Sequence, residues 1–180
     1  MLIFIIGYMG AGKTTLGKYL AEDLNYQFHD LDEMLEISTG YTIGGYFERF
    51  GESSFRIKEQ EMLISHLTDT DTVISVGGGT PCYSDNMALM NRNGLTIFID
   101  TGVETILKRL AGKIHERPLL KHIPAARLPS FIRDHMRSRQ EYYLHSAMKI
   151  NGDEVDPVSF AEAVRTRIGY DKAGPGSHFT

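Results

Sequence analysis

Cysteine is nearly absent from this chain of 180 residues: Cys82 is the only one, so no internal disulfide can form and a reducing compartment such as the cytoplasm suits it. Positive charge is also in short supply. Lys and Arg number 19 against 23 Asp and Glu, for a net charge of −4. No overall positive field exists to gather nucleic acid or an anionic membrane surface, and an anionic ligand must be held by cations placed locally. No apolar run approaches the roughly 20 residues needed to cross a bilayer. The apolar start, Leu2-Ile3-Phe4-Ile5-Ile6, has no cationic region before it and Gly7 after it; it is too short for the core of a secretory signal and reads as a β-strand. The seven histidines show neither an H-E-x-x-H nor a Cys/His ligand spacing, so no zinc motif is present, and no N-K-x-D-like segment is there to read guanine.

What is there is an ordinary globular composition, 42% hydrophobic and 23% charged, which separates the chain from disordered and fibrous classes. The length suits one domain with a real core, expected to act as a monomer. Short β-rich apolar runs at Leu2–Ile6, Tyr26–His29, Thr72–Val76, Leu95–Ile99 and Ala147–Ile150 alternate with longer helical patterns. Such runs read as strands buried on both faces, and the segments between them are long enough for the crossover helices that parallel strands require. The expectation is an α/β fold with about five parallel strands and ligand sites at their carboxyl ends. Asn93-Gly94 reads as a turn before the fourth strand, and Asp156-Pro157 as an N-cap with proline at the first position of the last helix. Two segments break the rhythm. Residues 31–67 read as a small helical subdomain laid over the sheet, with apolar Ile43, Phe47, Phe50 and Phe55; residues 111–124, with glycine, proline, two histidines and charges, read as a mobile loop and a candidate lid. Residues 169–180, with three glycines and one proline, read as a flexible tail.

Gly7-Tyr8-Met9-Gly10-Ala11-Gly12-Lys13-Thr14 matches G-x-x-x-x-G-K-[ST] in full, after the first strand and before a helical pattern. Glycines let backbone N–H groups wrap a phosphate, and the helix N-terminus adds about half a unit of positive charge. Lys13 would reach the β/γ-phosphates and Thr14 would ligate Mg²⁺. The second strand runs into His29-Asp30-Leu31-Asp32, two carboxylates that a strand period of two would point the same way. A P-loop kinase needs one acid near Mg²⁺, which suits Asp30, and benefits from another that accepts the acceptor hydroxyl's proton, which suits Asp32. Asp32 serves equally well as the N-cap of a helix beginning near Glu33. Gly77-Gly78-Gly79 after the third strand admits either close backbone approach to a ligand or a sharp turn. Arg56, Arg109, Arg117 and Arg139 fall in different inferred elements; any two that converge would make a bidentate clamp for a carboxylate. Cys82 has no activating neighbour in the sequence.

Taken together, G-Y-M-G-A-G-K-T, H-D-L-D, F-R at Phe55-Arg56, G-G-G and R-P-L-L at Arg117 to Leu120, in this order, resemble the shikimate kinase family of nucleoside monophosphate kinase-like P-loop proteins. The resemblance implies a three-layer P-loop NTPase-type α/β/α fold over residues 1–168, with a five-stranded parallel sheet, a substrate-binding insertion at about 31–60 and a lid at about 111–124. It implies transfer of the ATP γ-phosphate to the 3-hydroxyl of shikimate. Gly10, Ala11, Gly12, Lys13, Thr14 and Thr15 would bind ATP, and Thr14 and Asp30 would serve Mg²⁺. Asp32 would bind shikimate hydroxyls and act as the base. Arg56 and Arg139 would hold the shikimate carboxylate, Glu59 would orient an arginine, Phe47 and Phe55 would wall the ring, and Gly78 and Gly79 would offer backbone N–H groups. Arg117 would swing in on the lid to the transferring phosphoryl group, with Arg109 on adenine and the loop at Asp156 and Pro157 on its other side. Two departures stand out. The family's x-Pro-Leu-Tyr after the second carboxylate-binding arginine is Gln140-Glu141-Tyr142-Tyr143 here, which leaves Arg137 as a rival to Arg139, and Arg109 sits one position from the family's register. A gluconate or nucleoside monophosphate kinase is the neighbouring reading, and an ATP-dependent switch module the one outside enzymes; a switch has no need of a base or an arginine clamp.

Overall fold

The structure, a computed structural model, describes residues 1–112, 114 and 119–170. In chain order its elements are β1 (Leu2–Ile6), α1 (Lys13–Leu24), β2 (Gln27–Asp30), α2 (Leu31–Thr39), α3 (Ile43–Ser65), β3 (Thr72–Ser75), α4 (Asn86–Asn93), β4 (Gly94–Asp100), α5 (Val103–Leu110), α6 (Leu128–Tyr143), β5 (Met148–Asn151) and α7 (Pro157–Ile168). Five strands make one sheet in the order β2-β3-β1-β4-β5, every neighbouring pair parallel.

The side-chain alternation of β1 builds two cores at once. Ile3 and Ile5 point to one face, where they meet Leu16, Leu20 and Leu24 of α1, Ile106 of α5, Ile132 of α6 and Phe160 and Val164 of α7. Leu2, Phe4 and Ile6 point to the other, against Leu63 of α3, Met87 and Met90 of α4 and Tyr143 of α6. Because both faces are covered, the central strand is buried at every position, which is why its sequence is uninterrupted by polar residues. A third, smaller cluster of Leu35, Tyr46 and Phe55 holds α2 and α3 together. α3 bends at Gly51, whose φ of 79° suits glycine, and the bend separates the half bearing Phe47 from the half bearing Arg56 and Glu59.

The strand readings hold to within a residue or so at most ends. The turn expected at Asn93-Gly94 is instead the direct junction of α4 and β4. Asp156 caps α7 as its sequence suggests, accepting from the Val158 and Ser159 amides at 2.9 and 3.1 Å. Gly169 and Tyr170, read as the start of the tail, belong to the end of α7: Gly169 takes the left-handed cap conformation and the Tyr170 hydroxyl donates to the Leu24 carbonyl at 3.3 Å. Residues 171–180 lie outside the described residues. Among the described residues no helix is long and apolar enough to cross a membrane.

At the start of β4, Gly94 lies beside Leu2, and an added Cβ would sit 2.5 Å from the Leu2 carbonyl oxygen. A strand backbone cannot swing aside as a side-chain tip can. Gly94→Ala is therefore expected to destabilise the fold by about 1–3 kcal/mol, read as a lower urea midpoint with an unchanged slope.

Candidate active site

Strand order decides where the site lies. β1 and β3 are neighbours, yet β1 feeds α1 on one face of the sheet and β3 feeds α4 on the other, so a crevice opens beyond their carboxyl ends. The loop after β1 lines it with Gly10, Gly12, Lys13, Thr14 and Thr15, in a groove of about 410 Å³, within the size range of cofactor sites. Gly7 and Gly12 take φ of 149° and 98°, and a Cβ on Gly7 would stand 2.8 Å from the Ile99 carbonyl oxygen. The loop thus turns tightly into α1, whose N-terminus, with Gly12 at the cap position, ends at the groove. The Lys13 ammonium lies over the loop and donates to the carbonyls of Gly7 and Tyr8 at 3.0 and 3.1 Å. Ala11 is buried beneath, and its carbonyl accepts from Arg109 at 2.9 Å. Arg109 also donates to Gly152 at 2.9 Å, tying the loop to the segment after β5 while lining the groove. Pro157 opens α7 and is not among the residues lining the groove.

The two aspartates differ from their sequence reading. Asp30 ends β2, and the helix begins at Leu31, so Asp32 sits in the first turn of α2 and not on a strand. Asp30 is the N-cap, its Oδ1 accepting from the Asp32 amide at 3.1 Å, while its Oδ2 accepts from the Thr14 hydroxyl at 2.7 Å. Capping falls to Asp30 because it keeps extended dihedrals; Asp32 is thereby directed outward. Asp32 lines both the phosphate-loop groove and a second cavity beside it.

That second cavity brings together Arg56, Arg139, Glu59, Phe47, Phe55 and the three glycines. Arg137 goes elsewhere, into a cleft with Phe98 and Met136. Buried Glu59 accepts from Arg56 at 2.7 Å and from the Thr80 hydroxyl at 2.6 Å, and Glu52 holds the other guanidinium nitrogen at 3.0 Å. Burial would lower the Arg56 pKa, but the Glu59 and Glu52 carboxylates outweigh it and raise it, so the cation is firm although its side chain is only 12% exposed. The glycines serve neither a bare turn nor a ligand alone: each makes room for a charged side chain. A Cβ on Gly79 would stand 2.4 Å from an Arg56 nitrogen, one on Gly77 2.5 Å from Glu59, and one on Gly78 3.2 Å from Arg139.

Met9, Ile43 and Leu119 also line this cavity; Met9 and Leu119 fall within the phosphate-loop and R-P-L-L segments, and nothing but the fold reveals their direction. Tyr8, beside Met9, was missed in the same way. Its ring lies under the Arg139 guanidinium at 5.8 Å, and its hydroxyl is 2.9 Å from His135 Nδ1. Burial pushes the Tyr8 phenol up to about 12, so it stays protonated, and it lowers His135 to about 4, with Arg139 adding to the effect. The Tyr143 hydroxyl donates to the Gly78 carbonyl at 2.6 Å. Burial raises the Cys82 thiol to about 11 despite Arg139 and Arg56 nearby, so it remains protonated and unreactive. Arg117 lies outside the described residues.

Comparison with known proteins gives the family. The family model described as shikimate kinase matches residues 9–168. A shikimate kinase of Bacteroides fragilis is 44% identical over 160 residues, 89% of this chain and 89% of the relative. Among solved structures, a shikimate kinase from Bacteroides thetaiotaomicron superposes with a TM-score of 0.88 at 36% identity, covering 94% of this chain and 98% of that one. Another, from Acinetobacter baumannii and solved in complex with shikimate, gives 0.86 at 31% identity over 96% and 94% of the two chains.

The Tyr8–His135 contact has a pH signature. His135 titrates near 4 in the fold against 6.5 as its ordinary value, so between these the unfolded chain takes up a proton that the folded one refuses, and stability falls as pH drops through the window. In His135→Phe the loss of stability from pH ~6.5 to ~4, followed by urea unfolding, is expected to be smaller than in the parent.

Proposed function

The chain belongs to the shikimate kinase family, and from that membership we propose that it transfers the γ-phosphoryl group of ATP to the 3-hydroxyl of shikimate, giving shikimate 3-phosphate and ADP. One observation carries the proposal: Asp32 lines both the phosphate-loop groove and the cavity holding Arg56 and Arg139, so one carboxylate faces the donor and the acceptor. A nucleotide switch has no use for the second cavity. A gluconate or nucleoside monophosphate kinase is not favoured by relatives that bear the shikimate kinase name over most of their length.

In this reading the triphosphate lies in the groove, with its oxygens on the loop amides from Gly10 to Thr14, Lys13 at the transferred group and Thr15 alongside. The Thr14 hydroxyl and Asp30 carboxylate, 2.7 Å apart, offer the hard oxygen donors that Mg²⁺ prefers and would hold it, where it would neutralise phosphate charge. Arg109, which braces the loop and lines the groove, is assigned to adenine, with Pro157, which opens α7 outside the groove lining, on the other side of the base. The acceptor's carboxylate pairs with Arg56 and Arg139. Glu59 holds Arg56 in place, Phe47 and Phe55 cover the ring, and the backbone at Gly78 and Gly79 faces its substituents. Asp32 takes the hydroxyl proton as the oxygen attacks the γ-phosphorus and the bond to the bridging oxygen of ADP breaks. Arg117 is assigned to the transferring group by family likeness.

Coupled ADP release with Mg²⁺-ATP should respond to shikimate and not to gluconate or AMP. Asp32→Asn is expected to lower kcat by about 10²–10⁴-fold with the ATP KM nearly unchanged, the pattern of a group acting on the acceptor; an unaltered kcat would leave Asp32 with no part in proton transfer. Arg56→Lys keeps the charge but loses the planar fork, so the shikimate KM should rise well beyond that for ATP, whereas equal rises would remove Arg56 from the acceptor site.

A further inference from the structure

Away from both cavities, three side chains from three separate segments converge. His29 is on β2, the edge strand; His66 caps the end of α3; Asp69 lies in the loop leading to β3. One ligand atom from each lies within 4.8 Å of the others. Asp69 Oδ2 is 2.7 Å from His66 Nδ1 and 4.0 Å from His29 Nε2, and the two imidazole rings are 5.3 Å apart at 45°. The side chains are 22–29% exposed, open to an ion yet not free in solvent. The loop is folded on itself: the amides of Leu67 and Asp69 donate to Ile64 and His66 at 3.2 Å, and the Thr72 hydroxyl to Thr70 at 2.8 Å. Among the described residues, the ion-pair partners of Asp69 are these two histidines.

We propose that His29, His66 and Asp69 form a binding site for one divalent transition-metal ion of the zinc class. Zinc with bonds near 2.0–2.2 Å sets tetrahedral ligands about 3.4 Å apart, so the observed separations need adjustments of only about 1 Å by side chains. Two imidazoles and one carboxylate suit Zn²⁺, Co²⁺, Ni²⁺ or Cu²⁺ and not the all-oxygen preference of Mg²⁺ or Ca²⁺, which separates this site from the hard-oxygen pair Thr14 and Asp30. Three protein ligands leave the fourth position to water. The ion would fasten the edge strand, at the residue before Asp30, to the end of α3 and the loop entering β3. Capping α3 needs no second imidazole on the same carboxylate oxygen, which is the feature that an ordinary cap leaves unexplained.

The test uses the full, untagged chain, stripped with chelator and titrated calorimetrically with Zn²⁺ under excess Mg²⁺, with the visible spectrum of added Co²⁺ and the Zn²⁺-dependent rise in Tm as second readouts. One equivalent of Zn²⁺ should bind, and His29→Gln, His66→Gln and Asp69→Asn should each weaken it by at least about tenfold and abolish the Tm rise, as loss of a ligand requires. His145→Gln, on an unrelated histidine, should leave it unchanged. Circular dichroism identifies any variant that fails to fold, and the two remaining variants then decide. No bound equivalent, or the same affinity in the folded variants as in the parent, overturns the proposal.

Discussion

A guanidinium lies where a methyl group would have to be. Arg56 packs so closely on the backbone after β3 that any side chain at Gly79 would collide with it, Gly77 stands in the same relation to Glu59, and at Gly78 an added Cβ would be tight against Arg139. The second cavity exists because this stretch has no side chains of its own and so admits those of α3 and α6. Burying two arginines is costly unless their charge and hydrogen bonds are answered. Glu59 answers for Arg56, with Thr80 holding the other carboxylate oxygen, and the Tyr8 ring covers Arg139.

The same economy governs the sheet. With β1 and β3 adjacent and their following helices on opposite faces, the phosphate loop and the glycine run are forced against each other: a Cβ on Gly78 would lie 3.3 Å from the Gly7 carbonyl oxygen. The phosphate-loop groove and the second cavity are thus neighbours by topology, and Asp32 reaches both because the first turn of α2 begins at the next strand end along.

How much of this could be read from the chain depends on how local each signal is. The phosphate loop is a contiguous pattern with its mechanism built in, so its place after β1 was legible, as were the positions of the five strands; burial on both faces, expected of all five, fails at the edges, where β2 and β5 are partly exposed. The helical cover over the sheet was legible from its length, though the bend at Gly51 was not. The aspartates lie close together in the sequence pattern, but strand alternation does not relate them, because β2 ends at Asp30 and the helix begins at Leu31. Arg139 could not be told from Arg137, since two residues on a helix point about 200° apart and only the direction of α6 settles which faces the cavity. Tyr8, Met9 and Leu119 fall within the phosphate-loop and R-P-L-L segments, but nothing in those patterns says where their side chains face, and the convergence of His29, His66 and Asp69 is invisible to any search for regular ligand spacing because the three come together only through the fold.

Met9 and Gly78, like Asp32, line the phosphate-loop groove and the neighbouring cavity alike. A shared wall of this kind makes occupancy on one side a thermodynamic variable of the other. Any factor by which a ligand in the groove changes affinity for a ligand beside Arg139 is the factor by which the second changes affinity for the first, whichever arrives first.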